Sequence, residues 1–296
     1  MGRSGRQRMV IPFLLPAFIL YTVFFVYPAI QAFWVSLHEW SGFGKTMIYI
    51  GLGNYQEMLN DKIFWASFRR TVYITVVGGI GIFGLALFFA SILQRTLKFK
   101  KFFRSLIFFP MVIPGIGLGL IWQFIYNNDW GLLSGFINLI GLDALNKFWL
   151  APDNIIQSLT VAIIWSYVGY YMTILLAGID KIPITYFEAA ILDGASEWKM
   201  FFTITIPMIW DVFVVALVLW IISSLKIFDL IAATTFPAPP TSSYTLSIYI
   251  WSQAVGTYTP VYRLGYATAL GVVLLIMVVV SVGITRFVTR KDAIEY

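Results

Sequence analysis

The sequence contains no cysteine and a single histidine, His38. The missing thiols exclude a disulfide scaffold and a thiolate metal site, and a lone histidine argues against histidine-based catalysis or metal binding. Charge is also scarce, since 11% of the residues are charged, whereas a soluble domain has about 25%. Because 59% of the residues are hydrophobic, the chain cannot cover itself with polar surface, and its solvent must be lipid.

The net charge of +6 does not indicate nucleic-acid binding, because the basic residues fall in short clusters between apolar segments. A bilayer core of about 30 Å requires about 20 helical residues to cross it. Six apolar runs meet this length and predict an all-α membrane protein whose residues 1–296 form one transmembrane domain. The predicted spans lie at about 11–36, 71–93, 105–126, 156–179, 208–229 and 264–285.

Two other apolar stretches need separate interpretation. The uncharged run Met9–Leu37 is much longer than the apolar core of about 7–15 residues in a signal peptide, so we predict an uncleaved first span. The uncharged stretch 231–262 is interrupted by four prolines. We therefore predict an external loop there, with a short helix near 243–255.

The distribution of lysine and arginine predicts the orientation. With the N-terminus inside, thirteen of the 20 basic residues lie on the cytoplasmic side and seven on the other. Both termini are therefore predicted to be cytoplasmic. The thirteen are Arg3, Arg6, Arg8, Arg95, Lys98, Lys100, Lys101, Arg104, Lys181, Lys199, Arg286, Arg290 and Lys291.

In this orientation the segment 180–207 is the longest cytoplasmic loop, and it carries four acidic residues and two lysines. Pro183 can begin a helix, Gly194 suits a left-handed residue just after a helix, and Ser196 can cap a second one. The residues alone leave two alternatives open. The loop is either a docking element for a soluble partner or an ordinary helical hairpin on the membrane surface.

The loop reads Glu-Ala-Ala, three residues, glycine, nine residues, isoleucine, one residue, an aliphatic residue and proline. In this spacing it resembles the EAA motif of the inner-membrane permeases of binding-protein-dependent ABC importers. The sequence 193–195, Asp-Gly-Ala, is similar to the form found in the sugar-importing branch. The resemblance assigns ATPase coupling to Glu188, Ala189, Ala190, Asp193, Gly194, Ile204 and Pro207.

Further segments extend the resemblance over nearly the whole chain. Those at 104–110, 121–126, 226–231 and 265–269 look like parts of the third, fifth and sixth spans of the first permease of maltose-type, glycerol-phosphate-type and oligosaccharide importers. Two places depart from the pattern. Residues 236–240 replace a usual Gly-Gly-Pro, and Arg70-Thr71 replaces an Asn-Thr pair.

The resemblance implies a type I ABC importer permease fold in the inner (plasma) membrane of a prokaryotic cell, and a subunit that is not an enzyme. The implied partners are a second homologous permease, two ABC ATPase subunits, an extracytoplasmic sugar-binding protein, a carbohydrate substrate and membrane lipid, with no nucleic acid. No cofactor is expected in this chain, because ATP and Mg²⁺ would be bound by the ATPase subunits.

Aromatic and hydroxyl side chains inside the spans are the substrate candidates, because sugars stack on rings and hydrogen-bond to polar groups. The same residues could equally be structural, since 18% of the chain is aromatic and rings collect at membrane interfaces. Tyr167 and Tyr171 are four residues apart and share a helix face, as do Trp220 and Ser224. The candidates are Tyr167, Tyr170, Tyr171, Trp220, Ser223, Ser224 and Tyr266.

Two smaller patterns give structural expectations. Gly115 and Gly119 permit close helix contact in the third span, although loose internal packing is the alternative. Lys226 and Asp229 are three residues apart and are expected to form an ion pair.

A stand-alone ion- or proton-coupled secondary transporter is the alternative function. It would require ionisable residues near mid-membrane, which the predicted spans lack. A membrane-embedded enzyme is disfavoured for the same reason, because no histidine, cysteine or paired carboxylate lies at membrane depth.

Overall fold

The computed structural model describes residues 3–44, 46–94, 98–235, 237–257 and 259–289. The chain divides into two compact units: the first comprises Met1–Lys62 and Tyr249–Ile276, and the second comprises Ile63–Ile248 and Met277–Tyr296. Four residues that entered the predictions above lie outside the described residues: Arg95, Phe236, Arg290 and Lys291.

Helices account for nearly all regular structure in the described residues. The α-helices are α1 (Arg3–Tyr21), α2 (Tyr27–Val35), α3 (Gly53–Asn60), α4 (Lys62–Tyr73), α5 (Gly79–Leu93), α6 (Lys100–Phe108), α7 (Gly115–Ile125), α8 (Leu132–Leu139), α9 (Ile155–Ile179), α10 (Ile184–Leu192), α11 (Glu197–Met200), α12 (Ile206–Met208), α13 (Trp210–Leu225), α14 (Asp229–Thr234), α15 (Leu246–Ala254) and α16 (Leu264–Val288). Segments of π-helix lie at Thr22–Val26, Ile74–Gly78 and Phe201–Thr205, and 3₁₀ turns at Phe109–Val112, Asp143–Leu145 and Thr241–Ser243. The strands β1 (His38–Glu39) and β2 (Ile48–Tyr49) pair antiparallel, with His38 opposite Tyr49.

Four helical stretches are long and apolar enough to cross a membrane: Pro12–Val35, Lys62–Leu93, Ile155–Ile179 and Leu264–Val288. Two bent pairs raise the count to six if each pair is one span. In the first pair, α6 with its 3₁₀ turn meets α7 at 97°, and in the second, the stretch ending in α12 meets α13 at 71°. The count of six spans therefore stays a prediction.

The run predicted at 105–126 is not one helix, because prolines interrupt it. Pro110 lies in the 3₁₀ turn, and Pro114 is the residue before α7, with φ −54° and ψ 141°. Proline has no backbone N–H to continue a helix, and it pushes the preceding residue out of the helical region. The apolar run is thus divided into two helices at this point.

The run predicted at 208–229 is shorter in the structure, where α13 covers Trp210–Leu225. Lys226 follows the C-terminal end of α13, and Asp229 begins α14. Each charge suits the helix dipole at its position. The ion pair expected between them is wrong, because the helix ends before Lys226 and no ion pair joins the two residues within the described part of the chain.

The helix predicted to begin at 71 begins at Lys62, so that Arg70 lies within α4. Its Nη1 donates to the carbonyl oxygen of Thr241 at 2.7 Å, and the Thr71 hydroxyl accepts from the Leu246 N–H at 2.9 Å. These bonds attach the segment 241–246 to α4. The short helix predicted near 243–255 corresponds to α15.

The core of the second unit is centred on α9, which packs against α5, α6 and α13. Glycines permit the closest approaches. A Cβ atom on Gly169 of α9 would lie 2.1 Å from the carbonyl oxygen of Ile107 in α6. A Cβ on Gly119 would lie 2.4 Å from that of Ala233 in α14, and one on Gly115 would lie 3.0 Å from that of Asp229. The close helix contact expected at Gly115 and Gly119 is therefore confirmed.

Candidate functional site

Four of the seven substrate candidates, Tyr167, Tyr170, Tyr171 and Trp220, form one cluster of aromatic rings between α9 and α13. The Tyr167 and Tyr171 rings lie 6.5 Å apart, and the Trp220 ring lies 5.7 Å from Tyr167 and 6.1 Å from Tyr171. Ser224, one turn after Trp220, is buried on the same helix. The four-residue spacings therefore bring these side chains together, as the helix periodicity predicts.

Trp220 is held within this cluster by a hydrogen bond and by close packing. It is 1% exposed, and its indole Nε1 donates to the Thr75 carbonyl oxygen at 2.8 Å. A Cβ on Gly79 would lie 2.7 Å from this nitrogen, so the indole occupies space that only a glycine leaves open. The Ser224 hydroxyl is 2.9 Å from that of Thr75. Trp220 and Ser224 thus join α13 to the helix that contains Thr75.

A cavity of about 470 Å³ lies beside the cluster and is lined by residues of α7, α9, α13 and α14 and of the turns next to them. Tyr167 and Ser223 are the sequence candidates that line it. Trp220, Tyr171 and Ser224 do not line it. Tyr170 is half-buried, with its ring 5.0 Å from that of Tyr171.

The cavity also contains polar groups that the sequence reasoning did not select as site residues. Ser166, Lys226 and Asp229 line it, and both charged residues are exposed. Its lining therefore combines hydroxyl groups, a phenol, a cation and an anion. Such a surface can donate and accept hydrogen bonds with a polar solute.

Tyr266 belongs to the first unit, whereas the residues that line the α9–α13 cavity belong to the second. Its hydroxyl donates to Asp61 Oδ2 at 2.8 Å, and the Tyr249 hydroxyl donates to the same oxygen. Burial raises the pKa of the Tyr249 phenol, and the hydrogen bond to Asp61 raises this pKa further. The Tyr249 phenol therefore remains a protonated donor to the Asp61 carboxylate.

The segment 180–207 folds as two short helices joined by a tight turn. Gly194 has φ +72°, its N–H donates to the Ile191 carbonyl at 3.0 Å, and the next N–H, of Ala195, donates to the Ala190 carbonyl at 2.9 Å. This pair of bonds is a Schellman motif, which ends α10. The Ser196 hydroxyl accepts from the Lys199 N–H at 3.3 Å and caps α11. The predicted local structure at Gly194 and Ser196 is confirmed.

The first helix of this segment has an exposed apolar surface. Leu192 is 88% exposed, and Ile184 and Ile191 are exposed as well. Glu188 and Ala189 are also exposed, and Ala190 is partly covered. Of the remaining predicted coupling residues, Ile204 lies in the π-helical segment and Pro207 in α12, directly before the bend that leads into α13.

Comparison with known proteins identifies the family. Residues 82–291 match the model of the binding-protein-dependent transport system inner membrane components. The chain belongs to this family. It is a multi-pass permease of the inner membrane, and the resemblance found in the sequence is confirmed.

Individual relatives match this permease over almost its full length. A probable ABC transporter permease protein of Pyrococcus horikoshii is 31% identical over 95% of this chain and 96% of that protein. The trehalose/maltose transport system permease protein MalF of Thermococcus litoralis is 30% identical over 94% of this chain and 93% of its own. A chain of a bacterial alginate ABC transporter, crystallised in complex with an alginate pentasaccharide-bound periplasmic protein, is 22% identical with a TM-score of 0.81 and 98% coverage of both chains. The permease therefore has the type I ABC importer fold, and it is a transport subunit rather than an enzyme.

Signals for the missed cavity residues were present in the permease sequence. Lys226 and Asp229 are charged residues at the end of an apolar run, where a helix end and an aqueous space can coincide. Ser166 is a hydroxyl residue within the fourth predicted span, and its hydroxyl donates to the Ala162 carbonyl oxygen one turn back at 2.7 Å.

Proposed function

We propose that this permease forms half of the translocation pathway of an ATP-driven carbohydrate importer. Support for a carbohydrate comes from the relatives, one named for trehalose and maltose and one crystallised with an alginate-bound partner. The cavity of about 470 Å³ has a size suited to small ligands, whose sites span about 300–1,000 Å³. Its phenol, hydroxyl and charged groups suit a solute with many hydroxyl groups.

The observation that carries the proposal is the exposed apolar end of α10, held by the Schellman turn at Gly194. We infer that Glu188, Ala189, Ala190 and Asp193 present this helix to an ATPase subunit. An exposed apolar patch next to polar residues marks an interaction site. Closure of the partner ATPases then displaces α10, and the displacement passes through Ile204 and Pro207 to α13.

The proposed assembly contains a second homologous permease, two ATPase subunits that bind ATP and Mg²⁺, and an extracytoplasmic sugar-binding protein. In the proposed topology each bent helix pair counts as one span, which gives six spans and two cytoplasmic termini. Lipid or the second permease covers the stretch Pro12–Val35, whose apolar side chains are not buried within this chain.

Within the cavity, Tyr167 and Ser223 are the proposed contacts to the sugar. Tyr171, Trp220 and Ser224 are proposed to hold these two residues in place through packing, and Tyr170 packs against Tyr171. Tyr266, in the first unit, is proposed to act at a separate site. Each assignment is a prediction for mutagenesis.

The test is uptake and co-purification in one strain. Deletion of the gene is expected to abolish uptake of a labelled neutral disaccharide such as maltose or trehalose, and the intact gene to restore it. Affinity purification of the restored protein followed by mass spectrometry is expected to recover a second permease and an ABC ATPase. Transport of the solute by this chain alone, driven by a proton or sodium gradient, would refute the proposal.

A further inference from the structure

A second polar cavity lies wholly within the first unit. Its volume is about 420 Å³, and it is bordered by β1 and the loop after it, by α3, and by the residues just before and at the start of α16. It is not part of the cavity between α9 and α13. Its size also falls within the range of about 300–1,000 Å³ that is typical of ligand sites.

Asn54 supplies a fixed acceptor in this cavity. It is 3% exposed, and its amide nitrogen donates to the carbonyl oxygens of Ser36 at 2.8 Å and His38 at 3.0 Å. These two bonds fix the orientation of the amide group. Among the described residues no group donates to its Oδ1, so this oxygen can accept a further hydrogen bond. A ligand hydroxyl in the cavity can provide that donor.

Arg263 supplies a fixed donor. Its Nη2 bonds both carboxylate oxygens of Glu57, at 2.7 and 2.6 Å, and its guanidinium lies 4.7 Å from the centre of the Tyr266 ring. The Tyr266 hydroxyl is itself held by Asp61. The guanidinium is therefore positioned from two sides, and a guanidinium carries donors beyond the one nitrogen that bonds Glu57.

Two aromatic rings complete the lining, those of Trp40 and Tyr262. Tyr262 has φ +51°, which is uncommon for a residue with a side chain, and its ring packs edge-on against Phe43 at 4.9 Å. Strained backbone of this kind concentrates at ligand sites, where the surrounding structure holds it. With this backbone conformation Tyr262 lines the cavity.

The charge of the lining selects among carbohydrates. Glu39 and Glu57 provide two carboxylates against the one guanidinium of Arg263, which gives a net charge of −1. Like charges repel an anionic ligand in a confined site. The lining therefore favours a neutral sugar over a uronate.

We propose that this cavity is a second subsite of the permease, which binds one ring of a neutral carbohydrate between Trp40 and Tyr262, with hydroxyl groups bonded to Asn54 and Arg263. The proposal rests on the proposed carbohydrate function and deepens it. In the proposed topology these loops lie on the extracytoplasmic side, where the solute arrives. The subsite also gives Tyr266 a positioning role, through its stacking on Arg263.

The test is direct binding to the full-length permease, co-purified with its second permease and without the binding protein. Binding of maltose and trehalose is measured by saturation-transfer difference NMR, with digalacturonate as the anionic comparison. Tyr262→Gly removes the ring and suits the positive φ, so it separates binding from folding. We expect Tyr262→Gly and Trp40→Ala each to weaken disaccharide binding about fivefold, the effect of losing one aromatic contact. Trp130→Ala, at a 62% exposed tryptophan elsewhere in the chain, is the matched control and is expected to bind normally.

Three results would overturn the subsite: wild-type affinity in both Tyr262→Gly and Trp40→Ala, no binding of either disaccharide to the wild-type permease, or digalacturonate binding that the two variants abolish. Disaccharide uptake by the complete importer in cells is measured in parallel. Normal uptake together with any of these three results would disprove the subsite and leave the proposed function standing. Absence of uptake of any neutral sugar would count against the proposed function itself.

Discussion

Two aromatic residues of the α9–α13 cluster have different roles at the scale of the single residue. Tyr167 borders the cavity, whereas Trp220 is buried, does not line the cavity and donates to the Thr75 carbonyl. A hydroxyl at a cavity wall can act on a solute. An indole without contact to the cavity acts through packing, so the two substitutions should give different phenotypes.

Tyr167→Phe removes one hydroxyl and keeps the ring. We expect normal amounts of protein in the membrane and an increase of about fivefold in the half-saturating sugar concentration for uptake, since a lost hydrogen bond costs about 1 kcal/mol. Trp220→Phe leaves the Thr75 carbonyl without its indole donor and creates a small void. It is expected to cost about 2 kcal/mol of stability, lowering the yield and melting temperature at unchanged half-saturation. The reverse pattern would place Trp220, not Tyr167, at the substrate.

Gly194 provides the second prediction at this scale. A Cβ atom at this position would meet no atom within 4 Å, so a substitution is limited by the backbone angle of +72° and not by space. Gly194→Val is expected to cost about 1–2 kcal/mol at the turn and to reduce both uptake and recovery of the ATPase. Gly194→Asn, which tolerates the left-handed region, is the matched control and should retain both. Equal activity of the two variants would contradict a role of this turn in docking.

Local rules were sufficient for some of these residues and insufficient for others. The conformations at Gly194 and Ser196 follow from short-range hydrogen bonding, which a few neighbouring residues determine. The burial of Trp220 depends on Gly78 and Gly79, some 140 positions earlier in the chain, which leave room for the indole. Helix periodicity placed Trp220 on the correct face, but it could not show whether that face meets a cavity or another helix.

At the scale of elements, the C-terminal end of α10 exposes large apolar side chains next to a well-formed turn. Leu192 is 88% exposed. In the proposed assembly this side chain inserts into a groove of the ATPase, where burial of one leucine contributes about 2 kcal/mol.

Leu192→Asp should therefore prevent recovery of the ATPase during purification and abolish uptake, while the two permeases still co-purify. Leu139→Asp is the matched control, because Leu139 is 83% exposed and also ends a short helix, α8. The ATPase should be recovered with the Leu139 variant in wild-type amounts. Full ATPase recovery with Leu192→Asp would exclude α10 as the docking element.

The breaks inside elements were harder to predict than the elements themselves. Hydropathy identifies an apolar run, but it does not show whether the helix axis changes direction within that run. One span was therefore predicted where α6 and α7 meet at a bend of 97°. Pro110 and Pro114 carried the signal, since each removes a backbone donor. The long helices α9 and α16, without proline, closely match their predicted runs.

At the scale of the whole molecule, the two bent pairs determine how many times the chain crosses the bilayer. Four helical stretches are sufficient in length by themselves, and six crossings require each bent pair to be one span. If the chain makes six crossings, as we propose, both termini lie on the same side of the membrane. The position of the segment 180–207 relative to the other loops then decides whether α10 can reach a cytoplasmic ATPase.

Cysteine labelling tests this topology without background, because the chain contains no cysteine. Ser196→Cys lies in the segment predicted to be cytoplasmic, and Thr241→Cys in the stretch predicted to be external; both positions are exposed. Thr241 is preferable to its neighbour Ser242, whose hydroxyl oxygen is buried. In intact cells a membrane-impermeant maleimide should label Thr241→Cys and leave Ser196→Cys unmodified until the membrane is permeabilised. The predicted orientation rests on the thirteen of the 20 basic residues that lie on the inner side. Labelling of position 196 from outside would contradict this orientation and would place α10 on the opposite side of the membrane from any cytoplasmic ATPase.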